Sequence, residues 1–319
     1  MARAALIAPA LRGGAAQQGA AIVMAMLLAA LAATIAATLL WQQQLWAGEY
    51  ERRRDQVQAQ VLAMAGVQWA RQILFDATRT SGITYLGQPW SYKLPPTPIE
   101  NGSIGGYITD AESRINVNNL AAGGNASLPT RAALQRLFAT LGVPASLLNA
   151  VIDWVDADDQ VTAGGGAEDA YYQALPIPGL AANAPVRRFA ELLSVRGADA
   201  QTLARLHGFV EAVDAPAVIN VNTAPAEVLM AAVDGLDAGD AAALVASRAQ
   251  APFTSIADFR ARLAHPQLVV DETQLSVRSD WFVVTIEARQ GDTLARARAL
   301  LKRTSSGTEW PIVIWQTVE

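Results

Sequence analysis

Apart from Thr34 and Thr38, every position from Ala20 to Leu40 is apolar, with no charged residue among them. As a helix rising about 1.5 Å per residue, the run spans roughly 30 Å, the thickness of a bilayer core. From Trp41 to about Arg79 the pattern stays helical, with no proline and only Gly48 and Gly66 as glycines. Val57, Val61, Leu62, Ala65, Trp69, Ile73 and Leu74 recur there at helical spacing. That stripe predicts packing against the chain's own body, with a partner helix as the second reading. Glu51 to Asp55 is polar all round and predicts solvated surface. Thr80 to Ser103 is punctuated by Gly82, Gly87, Pro89, Pro95, Pro96 and Pro98 and reads as loop. Two short strands, 106–110 and 114–118, are predicted around a turn. Helical patterns then occupy 131–141, 146–156, 187–196, 199–213, 224–233, 238–249 and 255–263. Alternation returns at Trp281 to Ile286, and two more strands fall at 294–303 and 311–317. Gly291-Asp292 and Ser305-Ser306-Gly307 mark hairpin turns. So few strands at two distant places predict one shared sheet, with the helical block inserted between adjacent strands.

The apolar run is longer than the 7–15-residue core of a secretory signal peptide. Arg3 and Arg12 are the only charges before Glu49, so the leader stays on the cytoplasmic side. Trp41 and Trp46 follow the run at the level of an interfacial aromatic belt. These features predict a retained anchor, with about 280 residues exported beyond it. Formal net charge is −5 and there are no cysteines. An acidic exported body is a poor match for nucleic acid or anionic lipid. With no disulfide available, stability must come from the core, from partners or from metal.

The densest chemistry lies in IDWVDADDQVTAGGGAEDAYY. Asp153, Asp156, Asp158, Asp159, Glu168 and Asp169 fall within 17 residues, around the glycines 164–166. Hard carboxylate oxygens on a flexible loop suit calcium, which takes six to eight oxygens in loose geometry. The spacing is not that of an EF-hand. A solvated acidic loop is the alternative. The flanking Ile152, Trp154, Val155, Tyr171 and Tyr172 pin the loop to a core and favour a site. Asp156, Asp158, Glu168 and Asp169 are the leading ligands.

Residues 219–259 read as a helix-hairpin-helix, with the hairpin at Gly235-Leu236. DNA-binding versions bring backbone N–H groups to phosphate there, but here Asp234, Asp237 and Asp240 surround the turn. The stretch 119–270 carries nine arginines, no lysine and fifteen acidic residues. A packing module fits this better than a nucleic-acid reader. Catalysis has little support. His207 and His265 are isolated, and no HExxH or G-x-S-x-G occurs.

Together these pieces resemble the protein K family of minor pseudopilins in bacterial type II secretion. The leader ending at Gly19, ITDAESRINVNNL (108–120), DWVDADDQ to GAEDAYY (153–172), INVNTAPAEVL (219–229) and FTSIADF (253–259) carry the resemblance. It implies an α+β, pilin-like fold: a long N-terminal helix on an antiparallel sheet, with a large all-α insertion of helix-hairpin-helix type between strands. The implied parts are a prepilin leader (1–19), a transmembrane helix (20–41), pilin-like helix and first strands (42–118), the inserted helical domain (119–270) and C-terminal strands (271–319). It further implies cleavage between Gly19 and Ala20 by a prepilin peptidase, with N-methylation. Structural calcium would sit in the insertion. The body would lie in the periplasm on an inner-membrane anchor, at the pseudopilus tip. Its partners would be the minor pseudopilins I, J and H and the major pseudopilin G. Met24 stands at the fifth mature position, where pilin-like subunits usually carry glutamate, and marks the tip. Glu112-Ser113-Arg114 departs from the usual acid-glycine-arginine turn, and Ala20 from the usual bulkier first residue. The competing readings are a membrane-anchored helix-hairpin-helix protein of DNA uptake and a calcium-dependent surface binding module, which would not need the Gly19 site.

Overall fold

The computed structural model of the chain describes residues 15–124, 127–304 and 308–319. Residues 1–14 of the expected leader and the expected turn Ser305-Ser306-Gly307 lie outside the described residues. The chain divides into two units, Met1–Val57 and Gln58–Glu319. Helix α1 runs from Ala15 to Thr80. In the first unit its apolar residues are exposed, Ile22, Met24, Leu27, Leu31 and Ile35 among them. By length and composition this helix can cross a membrane.

In the second unit α1 buries Ala59, Ala63, Val67, Ala70, Leu74 and Ala77. Their spacing of three or four keeps them on one face. This corrects the expected stripe. Leu62, Ile73 and Leu74 do pack inward, but Val61 is 54% exposed and Trp69 51%. Ala65 is exposed as well, and in the first unit Val57 is 59% exposed. The reason is distance. A Cβ on Gly66 would lie 2.7 Å from Ile286 Cγ2, so helix and sheet approach closely at this point. The sheet answers in kind, with Ala288, Ala295, Ala297 and Ala299 buried in the same cluster. Small residues on both sides allow close approach, and the bulky Val61 and Trp69 are left outside.

After α1 come β1 (Leu94–Ile99), β2 (Gly102–Asp110) and β3 (Ile115–Asn116). The helical block comprises α2 (Leu128–Leu141), α3 (Ala145–Val155), α4 (Asp169–Gln173) and α5 (Ala200–Leu206). It continues through β4 (Val210–Glu211), β5 (Ile219–Asn220), α6 (Ala226–Ala232), α7 (Ala238–Gln250), α8 (Ile256–Ala261) and β6 (Leu275–Ser276). Strands β7 (Trp281–Gln290), β8 (Thr293–Lys302) and β9 (Ile312–Val318) complete the chain. One antiparallel sheet runs in the order β1-β2-β7-β8-β9. β2 and β7 are neighbours in space, so the whole block from 111 to 280 is inserted between them. β1 lies in the stretch read as loop. Its Pro95, Pro96 and Pro98 lack N–H donors, which confines it to the sheet edge.

The expected strand at 114–118 does not join this sheet. Only Ile115 and Asn116 are extended, and they pair in parallel with β4. Asparagine side chains take over from there. Asn116 Nδ2 donates to Val213 O and Ala215 O, and Asn118 Nδ2 donates to Val186 O and Val213 O. The tetrapeptide Ile-Asn-Val-Asn recurs at 219–222, again opening on a two-residue parallel pair, β5 with β6. There Asn222 brackets the backbone of Phe253, donating to its O and accepting from its N. The expected helix 187–196 is a 3-10 turn, Phe189–Ser194, and that at 199–213 stops at Leu206.

Where insert meets sheet, Asp110 is almost fully buried and accepts from Ser279 Oγ (2.6 Å), Thr223 Oγ1 (2.6 Å) and Asn220 Nδ2 (3.1 Å). Burial nevertheless pushes its pKa above the usual value. Glu112, beside it, accepts from the Asp280 backbone N–H and is pushed up to about 8 by burial first and then by Asp110.

Candidate metal centre

Helix α3 ends at Val155, with Asp156 as its extended cap, and the acidic loop folds back across its last turn. Asp153, completely buried, anchors it: both carboxylate oxygens lie 3.1 Å from the Thr162 N–H. Asn149 Nδ2 reaches Ala163 O (3.1 Å) and Gly164 O (3.2 Å). A Cβ on Gly166 would collide with Asp153 Oδ2. The third glycine is therefore there for close approach, and Arg196 Nη1 donates to its carbonyl at 3.0 Å.

The fold brings three of the four expected ligands together. Asp156, Asp158 and Glu168 each offer an oxygen within 4.8 Å of the others. Asp169 stands outside this trio. It opens α4, and its Oδ1 accepts from Ala181 N at 2.9 Å. Glu168 is only 4% exposed, yet neither carboxylate oxygen has a hydrogen-bond partner among the described residues. Asp156 Oδ1 is buried and unpartnered too. Burial, then the repulsion of Asp158 and Asp153, raises Asp156 to about 6. Burial, then Asp153, Asp156, Asp159 and Asp158, raises Glu168 to about 7. Buried anions gathered without a cation cost free energy. Unpartnered carboxylate oxygens gathered in this way suit a hard divalent ion. Sequence reasoning missed Asn183, which donates to Asp159 Oδ1 at 3.4 Å and keeps its own Oδ1 buried and unpartnered. Lying beyond the acidic block in sequence, it offered no compositional signal.

At the other singled-out positions, Gly19, Ala20 and Met24 lie on α1 and are exposed. The hairpin at Gly235-Leu236 joins α6 to α7. Asp237 caps α7, its Oδ1 accepting from Asp240 N at 2.8 Å. His265 Nε2 lies 3.5 Å from Asp240 Oδ2, and His207 packs edge-on against Phe189.

Two family models match, both described as type II secretion system (T2SS), protein K, over residues 113–215 and 219–278. The Type II secretion system protein K of Pectobacterium carotovorum is 34% identical over 272 residues, covering 79% of this chain and 82% of that protein. The chain belongs to the type II secretion system protein K family. That of Klebsiella pneumoniae is 31% identical, covering 78% of this chain and 81% of the relative. Among solved structures, a chain of the GspK-GspI-GspJ complex from enterotoxigenic Escherichia coli superposes with a TM-score of 0.73 at 25% identity, covering 85% of this chain and 99% of that one. The fold accords: an antiparallel sheet under a long helix, interrupted by a helical insertion. The chain is a minor pseudopilin, a structural component of the secretion machinery, and the comparisons lend no support to a DNA-uptake role.

Proposed function

We propose that this minor pseudopilin caps the periplasmic pseudopilus and nucleates its assembly for protein export, in company with the minor pseudopilins I, J and H and the major pseudopilin G. The observation that carries the reading is the likeness to a chain solved together with GspI and GspJ, over 99% of that chain. A block of about 170 residues between β2 and β7 would clash if repeated along a shaft and is free at an end. Met24 offers no carboxylate to a neighbour's N-terminal amine, and the first subunit in line has no neighbour ahead to neutralise. Val61, Met64 and Trp69, left exposed on α1, are what neighbouring helices would cover. That restores the second reading of the apolar stripe.

A prepilin peptidase cleaves between Gly19 and Ala20 and leaves a methylated amine, on this reading, and α1 anchors the chain once in the inner membrane. Calcium occupies the loop, held by Asp156, Asp158 and Glu168. Its role is structural: it cancels the repulsion of the trio and orders residues 156–168. The helix-hairpin-helix serves packing and not DNA, because Asp237 already takes an α7 N-terminal N–H and adds negative charge where phosphate would lie. The role is assembly, not catalysis. The test is position. Crosslinking or immunogold labelling should place this subunit at one end of the pseudopilus, copurifying with minor pseudopilins through the periplasmic body. Regular spacing along the shaft would refute the assignment.

A further inference from the structure

On the sheet face away from α1, the insert overhangs β7 and β8 and leaves a cleft of about 350 Å³ at its lip. Val283 floors it, and Thr109 and Thr285 present hydroxyls. Arg298 reaches in from β8, while Arg114 and His207 come from the insert side. Two of the three guanidinium groups are engaged. Arg114 pairs with Glu211 at 2.6 Å, and Arg296 at the rim pairs with Glu287 at 2.6 Å. Arg298, half-buried, has no hydrogen-bond or ion-pair partner among the described residues. Arg114 and Arg296 thus have carboxylate partners, and the Arg298 guanidinium alone of the three does not, in a chain whose net charge is −5. His207 is held neutral more readily than usual, by burial first and then by Arg114 and Arg298.

We infer that this cleft receives a carboxylate side chain of another protein subunit, with Arg298 as its partner and the threonine hydroxyls as further donors. A planar guanidinium matches a carboxylate in bidentate fashion, and such charge-assisted bonds are the strong ones. One unmatched charge at an opening to solvent is a weak trap for a free anion, because salt screens it. A carboxylate presented by a docked neighbour arrives at high effective concentration instead. The site needs both layers, since sheet and insert each supply a wall. In taking the partner to be a neighbouring subunit, the inference rests on the tip-assembly reading.

The test uses the full-length chain in membranes with the other pseudopilins. Arg298→Lys places an amine in the cleft, and a carbodiimide joins an amine to a touching carboxylate with no spacer. A crosslink from position 298 to an Asp or Glu of another subunit is the expected result. Arg298→Gln should lower recovery of that subunit about tenfold or more, as loss of one charge-assisted bond implies. It also decides the matter if Arg298→Lys does not fold, because recovery equal to wild type would overturn the site. Succinate is the probe for a free anion. If it raises the melting temperature of wild type but not of Arg298→Gln, and no crosslink forms, the subunit source is overturned. Neither crosslink nor succinate effect overturns the cleft altogether. Copurification that persists through these failures leaves the tip assignment standing; its absence in wild type refutes that assignment instead.

Discussion

Glu168→Gln separates a metal loop from a merely acidic one, because the two predict opposite signs. In the folded chain the Glu168 carboxyl moves from 4.5 to about 7. At about 1.36 kcal/mol per pKa unit this corresponds to roughly 3 kcal/mol of destabilisation when it is ionised. That figure is an upper bound, since solvent screens part of the repulsion, and ~2 kcal/mol is a realistic share. Removing the charge in chelator at pH 7.5 should therefore stabilise the chain. At about 2 °C per kcal/mol for a body of this size, the midpoint rises by about 4 °C. Calcium reverses the order. At about 100 times its dissociation constant it adds roughly 2.7 kcal/mol to wild type, about 5 °C, and much less to Glu168→Gln. The pH dependence follows with its sign. Between 4.5 and about 7 the folded chain binds more protons than the unfolded one, so ion-free stability falls as pH rises through that window. Calcium should flatten the slope. Scanning calorimetry of the detergent-solubilised full chain, at pH 5.5 and 7.5 with calcium or chelator, measures all of it. A wild-type midpoint indifferent to calcium, or a Glu168→Gln chain less stable than wild type in chelator, would refute the reasoning.

Intact mass of the membrane-extracted protein should show an N-terminus at Ala20 carrying a methyl group, only when a prepilin peptidase is present; a start beyond residue 30 refutes it. Gly66→Val should cost about 1–3 kcal/mol in urea unfolding, because the new side chain meets Ile286 at a contact closed to a Cβ. Asn220→Ala removes the side chain that donates to Thr84 O, Asp110 and Ser279. Leaving buried acceptors unpaired should cost about 2–4 kcal/mol by the same assay, and a loss under 1 kcal/mol would show the junction to be slack. Gel shifts at low salt, where phosphate contacts are strongest, should show no DNA binding by the periplasmic body.

Much of this protein was legible without coordinates. Ala20 to Leu40 announces its solvent by lacking charge, and the single shared sheet follows from too few strands at two distant places. The acidic loop declares itself by composition, because a cluster of carboxylates is a local property of the chain. Other features belong to geometry between distant segments. Which face of α1 lies inward was decided by how closely the helix approaches Ile286, so the alanines were buried and the bulky Val61 and Trp69 were left out. β1 was hidden because proline punctuation reads as loop, while an edge strand needs donors on one side only. The first Ile-Asn-Val-Asn segment read as strand, and the asparagines of both segments turned out to bracket backbone far along the chain. Asp169, the fourth expected ligand, stands apart from the other three and accepts from Ala181 N, 12 residues away in sequence. Local pattern determines which elements form and what chemistry they carry. Only tertiary contact decides which side chains meet, because burial and hydrogen bonding between remote segments are set by the packing of the whole.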